Sequence, residues 1–191
     1  MSAADFLFTP SMQKVLGLTF ANPGQSFTLN ELLARAGGGH GGAQRQIERL
    51  LAAGVLQEGP RRARQRSIQA NTAFFLYPEL RAIVQKSFGL AEPLRQVLQP
   101  FSAQIDEAFV FGSIAKGSDT HGSDIDLIVV GDVPLMALTE AMLQAQATLG
   151  RPVHVNLYGA QEWAQLRQTD PVLAQISDAT QIRILPHATP H

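Results

Sequence analysis

The sequence predicts an α+β fold in two parts: a helical first half closed by a β-hairpin, then a small α/β half built on a mixed sheet. Three observations carry this expectation. Apolar residues recur at helical spacing three times before residue 53, and two short β-type runs follow, Val55-Leu56-Gln57 and Ser67-Ile68-Gln69. Later, Phe109-Val110-Phe111 and Leu127-Ile128-Val129-Val130 are apolar runs of buried-strand length. Charge divides along the same line: residues 1–100 hold 11 Lys+Arg and 6 Asp+Glu, whereas residues 101–191 hold 4 and 10. A basic half joined to an acidic half points to two tasks, the first of them facing a polyanion.

Composition narrows the class. The chain has 191 residues, 45% of them hydrophobic, which suits a soluble globular protein of one or two small domains. It contains no run of about 18 apolar residues, so no membrane span is expected. The opening MSAADFLFTPSMQ lacks the basic and long apolar regions of a secretory signal. No cysteine is present, which excludes disulfides and thiolate metal sites and leads to the expectation of a cytoplasmic protein.

Taken in order, Met12, Val15, Leu16 and Phe20 give a first helix over 10–20, ended by Asn22-Pro23-Gly24. Thr28-Leu29-Asn30-Glu31 is a capping box, in which hydroxyl and carboxylate each satisfy a free amide at the start of a second helix. Residues 37–42, five glycines and His40, read as a turn. A third helix over 43–53 buries Ile47, Leu50 and Leu51 and stops at Gly54. Helix, helix, turn, helix, hairpin is the order of a winged helix–turn–helix, expected over 9–75. The phrase Leu50-Leu51-Ala52-Ala53-Gly54-Val55-Leu56 resembles the third-helix exit of ArsR- and MarR-like regulators. In that arrangement Arg45 and Arg49 lie on the helix that meets the major groove. Arg61, Arg62, Arg64 and Arg66 lie in the loop of the hairpin, the wing, where they reach the DNA backbone or minor groove. Double-stranded DNA is the expected partner, bound by a homodimer, since two half-sites are the usual way a small module gains affinity.

Residues 76–100 hold two helices, from Leu80 to Phe88 and from Ala91 to Gln99, and read as a linker or dimerisation segment. The acidic part, 101–186, alternates strand and helix. After the two strands, Leu135 to Leu149 is helical, Val153 to Tyr158 is a third strand, Trp163 packs from a helix, and Ile182 to Leu185 is a final strand. Its sheet is expected to be covered on one face and to carry a site at one edge.

That site is read from Phe109 to Asp132. Gly112-Ser113 ends the first strand in a turn whose free amides and hydroxyl suit a phosphate. Asp124 and Asp126 open the next strand and point the same way, while Ile125 and Leu127 point into the core. Two carboxylates on one face are costly without a bound cation, and Mg2+ or Mn2+ is the natural one. Lys116 stands where it can offset triphosphate charge, and Ser123 caps or orients the aspartate loop.

The Gly-Ser, ten residues, Asp-x-Asp pattern resembles the minimal nucleotidyltransferases of the DNA polymerase beta-like superfamily. The resemblance implies that Gly112 and Ser113 hold a nucleoside triphosphate, with ATP expected, that Lys116 and Ser123 belong to the same nucleotide site, and that Asp124 and Asp126 are catalytic and hold the metal ions. Members usually supply a third carboxylate from a later strand. Here His154 and Asn156 share that face, which leaves transfer or nucleotide sensing both open. His154 reads as an ordinary, partly buried histidine. The whole chain resembles fusions of a winged-helix module to such a domain, and implies a DNA-binding regulator that uses or senses a nucleotide. One alternative implied by resemblance is an antitoxin-type enzyme that adenylylates a HEPN-type toxin partner; the other is a catalytically inactive nucleotide sensor or interaction module.

Overall fold

In the computed structural model, residues 4–36, 40–62, 65–120 and 122–186 are described. The chain divides into two compact units between Leu90 and Ala91.

The first unit begins with α1 (Pro10–Ala21), whose N-terminal turn is closed by Thr9 accepting from the Met12 amide at 3.4 Å. A two-residue strand β1 (Phe27–Thr28) leads directly into α2 (Leu29–Ala36). The capping box forms as the sequence predicts: the Thr28 amide donates to Glu31 Oε2 at 2.7 Å, and the Glu31 amide donates to Thr28 Oγ1 at 3.2 Å. Then come α3 (His40–Ala52), β2 (Leu56–Arg62), β3 (Gln65–Ala70) and α4 (Tyr77–Lys86). The three strands form an antiparallel sheet in the order β1-β3-β2. Val15, Leu16, Phe20, Leu32, Ile47, Leu56 and Ile68 fill its core, each essentially inaccessible to solvent. Phe20 stacks on Tyr77 with ring centroids 5.1 Å apart, which ties α4 to α1.

Two expectations change here. The helix α3 starts at His40, so Gly41 and Gly42 are helical, and residues 37–39 of the expected glycine turn lie outside the described residues. The hairpin strands run to Arg62 and from Gln65, so Arg61, Arg62 and Arg66 are strand residues and not loop residues. Antiparallel pairing continues through a register shift between Gly59 and Arg62 and carries the strands beyond their apolar segments.

The second unit starts with α5 (Ala91–Leu98) and a 3-10 helix (Gln99–Gln104). The segment 76–100, expected as one connecting piece, thus contributes α4 to the first unit and α5 to the second. There follow β4 (Ile105–Phe111), α6 (Gly112–Lys116), β5 (Ile125–Gly131), α7 (Leu135–Leu149), β6 (Val153–Tyr158), α8 (Ala160–Thr169), α9 (Pro171–Asp178) and β7 (Ile182–Leu185). The sheet has the order β6-β5-β4-β7. β4 is antiparallel to β5 and to β7, and β5 is parallel to β6, so the sheet is mixed. Parallel pairing requires a crossover, and α7 supplies it.

Register assigns the faces. Phe109 pairs with Ile128 and Phe111 with Asp126, so Asp126, Ile128 and Val130 share a face, on which Phe109, Ile128 and Val130 pack with the buried Trp163 of α8. The alternate residues Ala108, Val110, Leu127 and Val129 are completely buried too. Both faces are therefore covered, which corrects the expectation of one covered face. The Trp163 indole donates to Glu107 Oε1 at 2.7 Å, which fixes α8 on the sheet.

Candidate active site

Where β4 ends, the chain turns sharply into α6. Gly112 takes φ 74°, a left-handed conformation that glycine adopts without a steric penalty. A β-carbon there would stand 2.8 Å from Asp126 Oδ2, so a larger residue would displace that carboxylate. The start of α6 is thereby laid against the Asp126 carboxylate. Ile114, 2% exposed, anchors the short helix, and Gly117 closes it by donating to the Ile114 carbonyl at 3.1 Å. Ser113 is half-buried beside Gly112, and Lys116 is exposed at the other end of α6.

Asp124 precedes β5 and Asp126 is its second residue, with Ile125 and Leu127 buried between and after them, as the alternation predicts. In the parallel register Asp126 stands opposite His154 on β6. The His154 Nε2 lies 3.1 Å from Asp124 Oδ2, with side chains 63% and 44% exposed respectively. His154 is thus a solvent-facing neighbour of the aspartates and not the partly buried residue expected. Asn156 is exposed further along the same face. Burial pushes the Asp126 carboxyl above its ordinary range; His154 opposes that shift and the Asp124 charge adds to it.

The loop from Ser118 to Asp124 is tied down by a residue whose place in the sequence suggests only a turn. Arg151, 5% exposed, sits between α7 and β6. Its Nη1 donates to the buried Asp119 Oδ2 at 2.9 Å, its Nε to the Ser123 carbonyl at 2.9 Å, and its Nη2 to the Thr120 carbonyl at 2.8 Å. Nη2 also donates to the Ser123 carbonyl. The Ser123 hydroxyl accepts from the Thr120 amide at 3.0 Å, so it shapes this loop. The signal in the sequence is an arginine placed two residues before a strand in a half that holds only four Lys and Arg residues.

The donor set is two carboxylates beside an imidazole. Among the described residues no group of three or more His, Cys, Asp or Glu side chains is arranged around one cation position. That set fits Mg2+, which is ordinarily held by one or two carboxylates and completed by waters and substrate phosphates.

The arginines expected at DNA lie in the first unit. Arg45 and Arg49 are exposed on α3, and Arg45 Nε donates to the Gly41 carbonyl at 3.2 Å. Arg61 is exposed on β2, Arg62 is the last residue of that strand, and Arg64 lies outside the described residues. Arg66 on β3 is engaged within the protein, 3.0 Å from Glu48 and 2.7 Å from Glu58.

Residues 91–183 match the family model of the nucleotidyltransferase domain. A search of curated proteins gives no match. Among solved structures, the chain resembles one described as a toxin–antitoxin with AMP-PNP, at 21% identity over 50% of this chain and 72% of that one, with a TM-score of 0.37. It resembles a mutant of the toxin–antitoxin MntA–HpeT at 19% identity, over 49% of this chain and 71% of that one, with a TM-score of 0.37. A putative nucleotidyltransferase from Sulfolobus solfataricus matches at 19% identity, over 44% of this chain and 78% of that one, with a TM-score of 0.29. Among the described residues, no helix is long and apolar enough to cross a membrane.

Proposed function

We propose that residues 91–183 bind a nucleoside triphosphate, ATP foremost, as its divalent-cation complex and transfer its nucleotidyl group to a hydroxyl acceptor. The observation that carries this is the approach of Gly112 to Asp126, which sets the first turn of α6 beside a carboxylate that would hold the cation. Asp124 and Asp126 are the cation ligands. The Gly112 and Ser113 amides and the Ser113 hydroxyl meet the phosphates, and Lys116 adds positive charge from the rim. Ser123 orders the loop ahead of Asp124. When bound, Mg2+ or Mn2+ supplies charge stabilisation for the attacking oxygen and the departing pyrophosphate. The protein's part is placement: Asp126 is held at the second residue of a strand paired on both sides, and a bound cation would oppose the rise that burial gives its carboxyl.

Thermal denaturation with and without Mg2+ and ATP tests this reading. Wild type melts higher as Mg2+ and ATP rise together, and Asp126→Asn loses that rise. Equal shifts in the two proteins would remove the cation-site assignment. Transfer is followed with ATP labelled at its α-phosphate. A thermal shift without labelled product would identify a nucleotide sensor.

For residues 9–75 we infer a winged helix–turn–helix that binds double-stranded DNA as a dimer. The element order supports it, as do the exposed Arg45 and Arg49 on the third helix and Arg61 on the hairpin. Arg66 contributes less, because Glu48 and Glu58 offset its charge.

A further inference from the structure

We propose that Arg151 is a positioning residue for the cation site, acting through Asp124; this rests on the cation-site reading above. Both residues flanking Asp124 are fastened to the short stretch Arg151-Pro152. The carbonyl of Ser123, immediately before Asp124, accepts from Arg151 Nε at 2.9 Å. The amide of Ile125, immediately after it, donates to the Pro152 carbonyl at 2.9 Å. Two residues further on, His154 Nε2 meets the Asp124 carboxylate itself at 3.1 Å. The backbone of Asp124 is therefore held from both sides by one segment of chain.

Residues 118–120 and 122–124 lie outside helix and strand, so no ladder fixes the approach to β5. Arg151 replaces that ladder with one planar group that spans Asp119, Thr120 and Ser123. A guanidinium suits this task and an ammonium does not, because its donors form a rigid fork. Side-chain exposures of 4% for Arg151 and 0% for Asp119 show a pair withdrawn from solvent, in which either partner alone would be a costly buried charge. The pair is neutral in sum, so it fixes the loop without opposing the charge of an incoming cation.

The test uses full-length wild type, Arg151→Lys and Asp119→Asn. Mn2+ alone is titrated, and bound ion is counted from the loss of the free Mn2+ resonance well below each melting temperature. Melting temperature in chelator is recorded separately. Arg151→Lys keeps the charge and loses the fork. Asp119→Asn keeps the shape and loses the pair, and it decides the matter where Arg151→Lys does not fold. The expected result is a titration midpoint raised by about tenfold to a hundredfold, with the same number of ions bound at saturation. A lowered melting temperature with an unmoved midpoint overturns the proposal, because it assigns the pair to stability alone. A wild type that binds no Mn2+ overturns the cation-site reading instead, and the positioning role falls with it.

Discussion

The Asp126 carboxyl is raised from its ordinary 3.8 by burial first, with His154 opposing and Asp124 adding to the shift. In the window between the ordinary and the raised value, the folded protein keeps a proton that the unfolded chain has lost. Folding stability without metal therefore falls as pH rises through that window, and the loss is complete above the folded pKa. In chelator at neutral pH, Asp126→Asn is expected to melt above wild type, with the gap closing as the medium is acidified below the carboxylate range. A gap independent of pH would count against this account. Gly112 makes a second prediction at the same scale. Gly112→Ala places a non-glycine residue at φ 74° with its β-carbon 2.8 Å from Asp126 Oδ2. The backbone cost is of order 1–3 kcal/mol. Displacing the carboxylate should also abolish Mn2+ binding, so denaturant melts and metal titrations should fail together.

Elements were legible in the sequence to the extent that their faces carry apolar residues. The strands β4 and β5 show as apolar runs because both their faces are buried, whereas β6 shows as an alternation of Val153, Val155 and Leu157 with the exposed His154 and Asn156. The outer hairpin did not show at full length: Pro60-Arg61-Arg62 and Gln65-Arg66 form no apolar run, and their pairing extends the ladder that starts with Leu56 opposite Ala70. A two-residue strand such as β1 is too short for any periodicity. Arg151 is not legible as a site residue because its partners Asp119 and Ser123 lie about thirty residues earlier and meet it only through the β5–β6 register. By contrast the capping box at α2 was visible, since both partners lie within one turn. Thr28→Ala is expected to cost about 1 kcal/mol, read as a lower denaturation midpoint with an unchanged slope.

Across the whole molecule, charge is the property the sequence states most openly. The DNA surface proposed for the first unit predicts a specific salt dependence. Removing Arg45, Arg49 and Arg61 together should flatten the slope of log affinity for duplex DNA against log salt by about 0.9 for each phosphate no longer neutralised. Arg66→Ala should change it far less, because Glu48 and Glu58 already hold that guanidinium. An unaltered slope in the triple variant would remove this surface as a phosphate-binding one. Order of formation is the other property of the whole, and it follows from the parallel pairing of β5 with β6. The loop from Ser118 to Asp124 leaves the ribosome before α7, and α7 before Arg151. Closing that interval costs chain entropy before any of its contacts can repay it, which makes such pairings slow. The aspartates are thus synthesised before Arg151-Pro152, the partners of the residues that flank Asp124, and docking of β6 is expected to be the step that completes the site. The Ile125 amide, bonded to the Pro152 carbonyl, times that last step, and its protection from hydrogen exchange during refolding should appear together with the capacity to bind Mn2+.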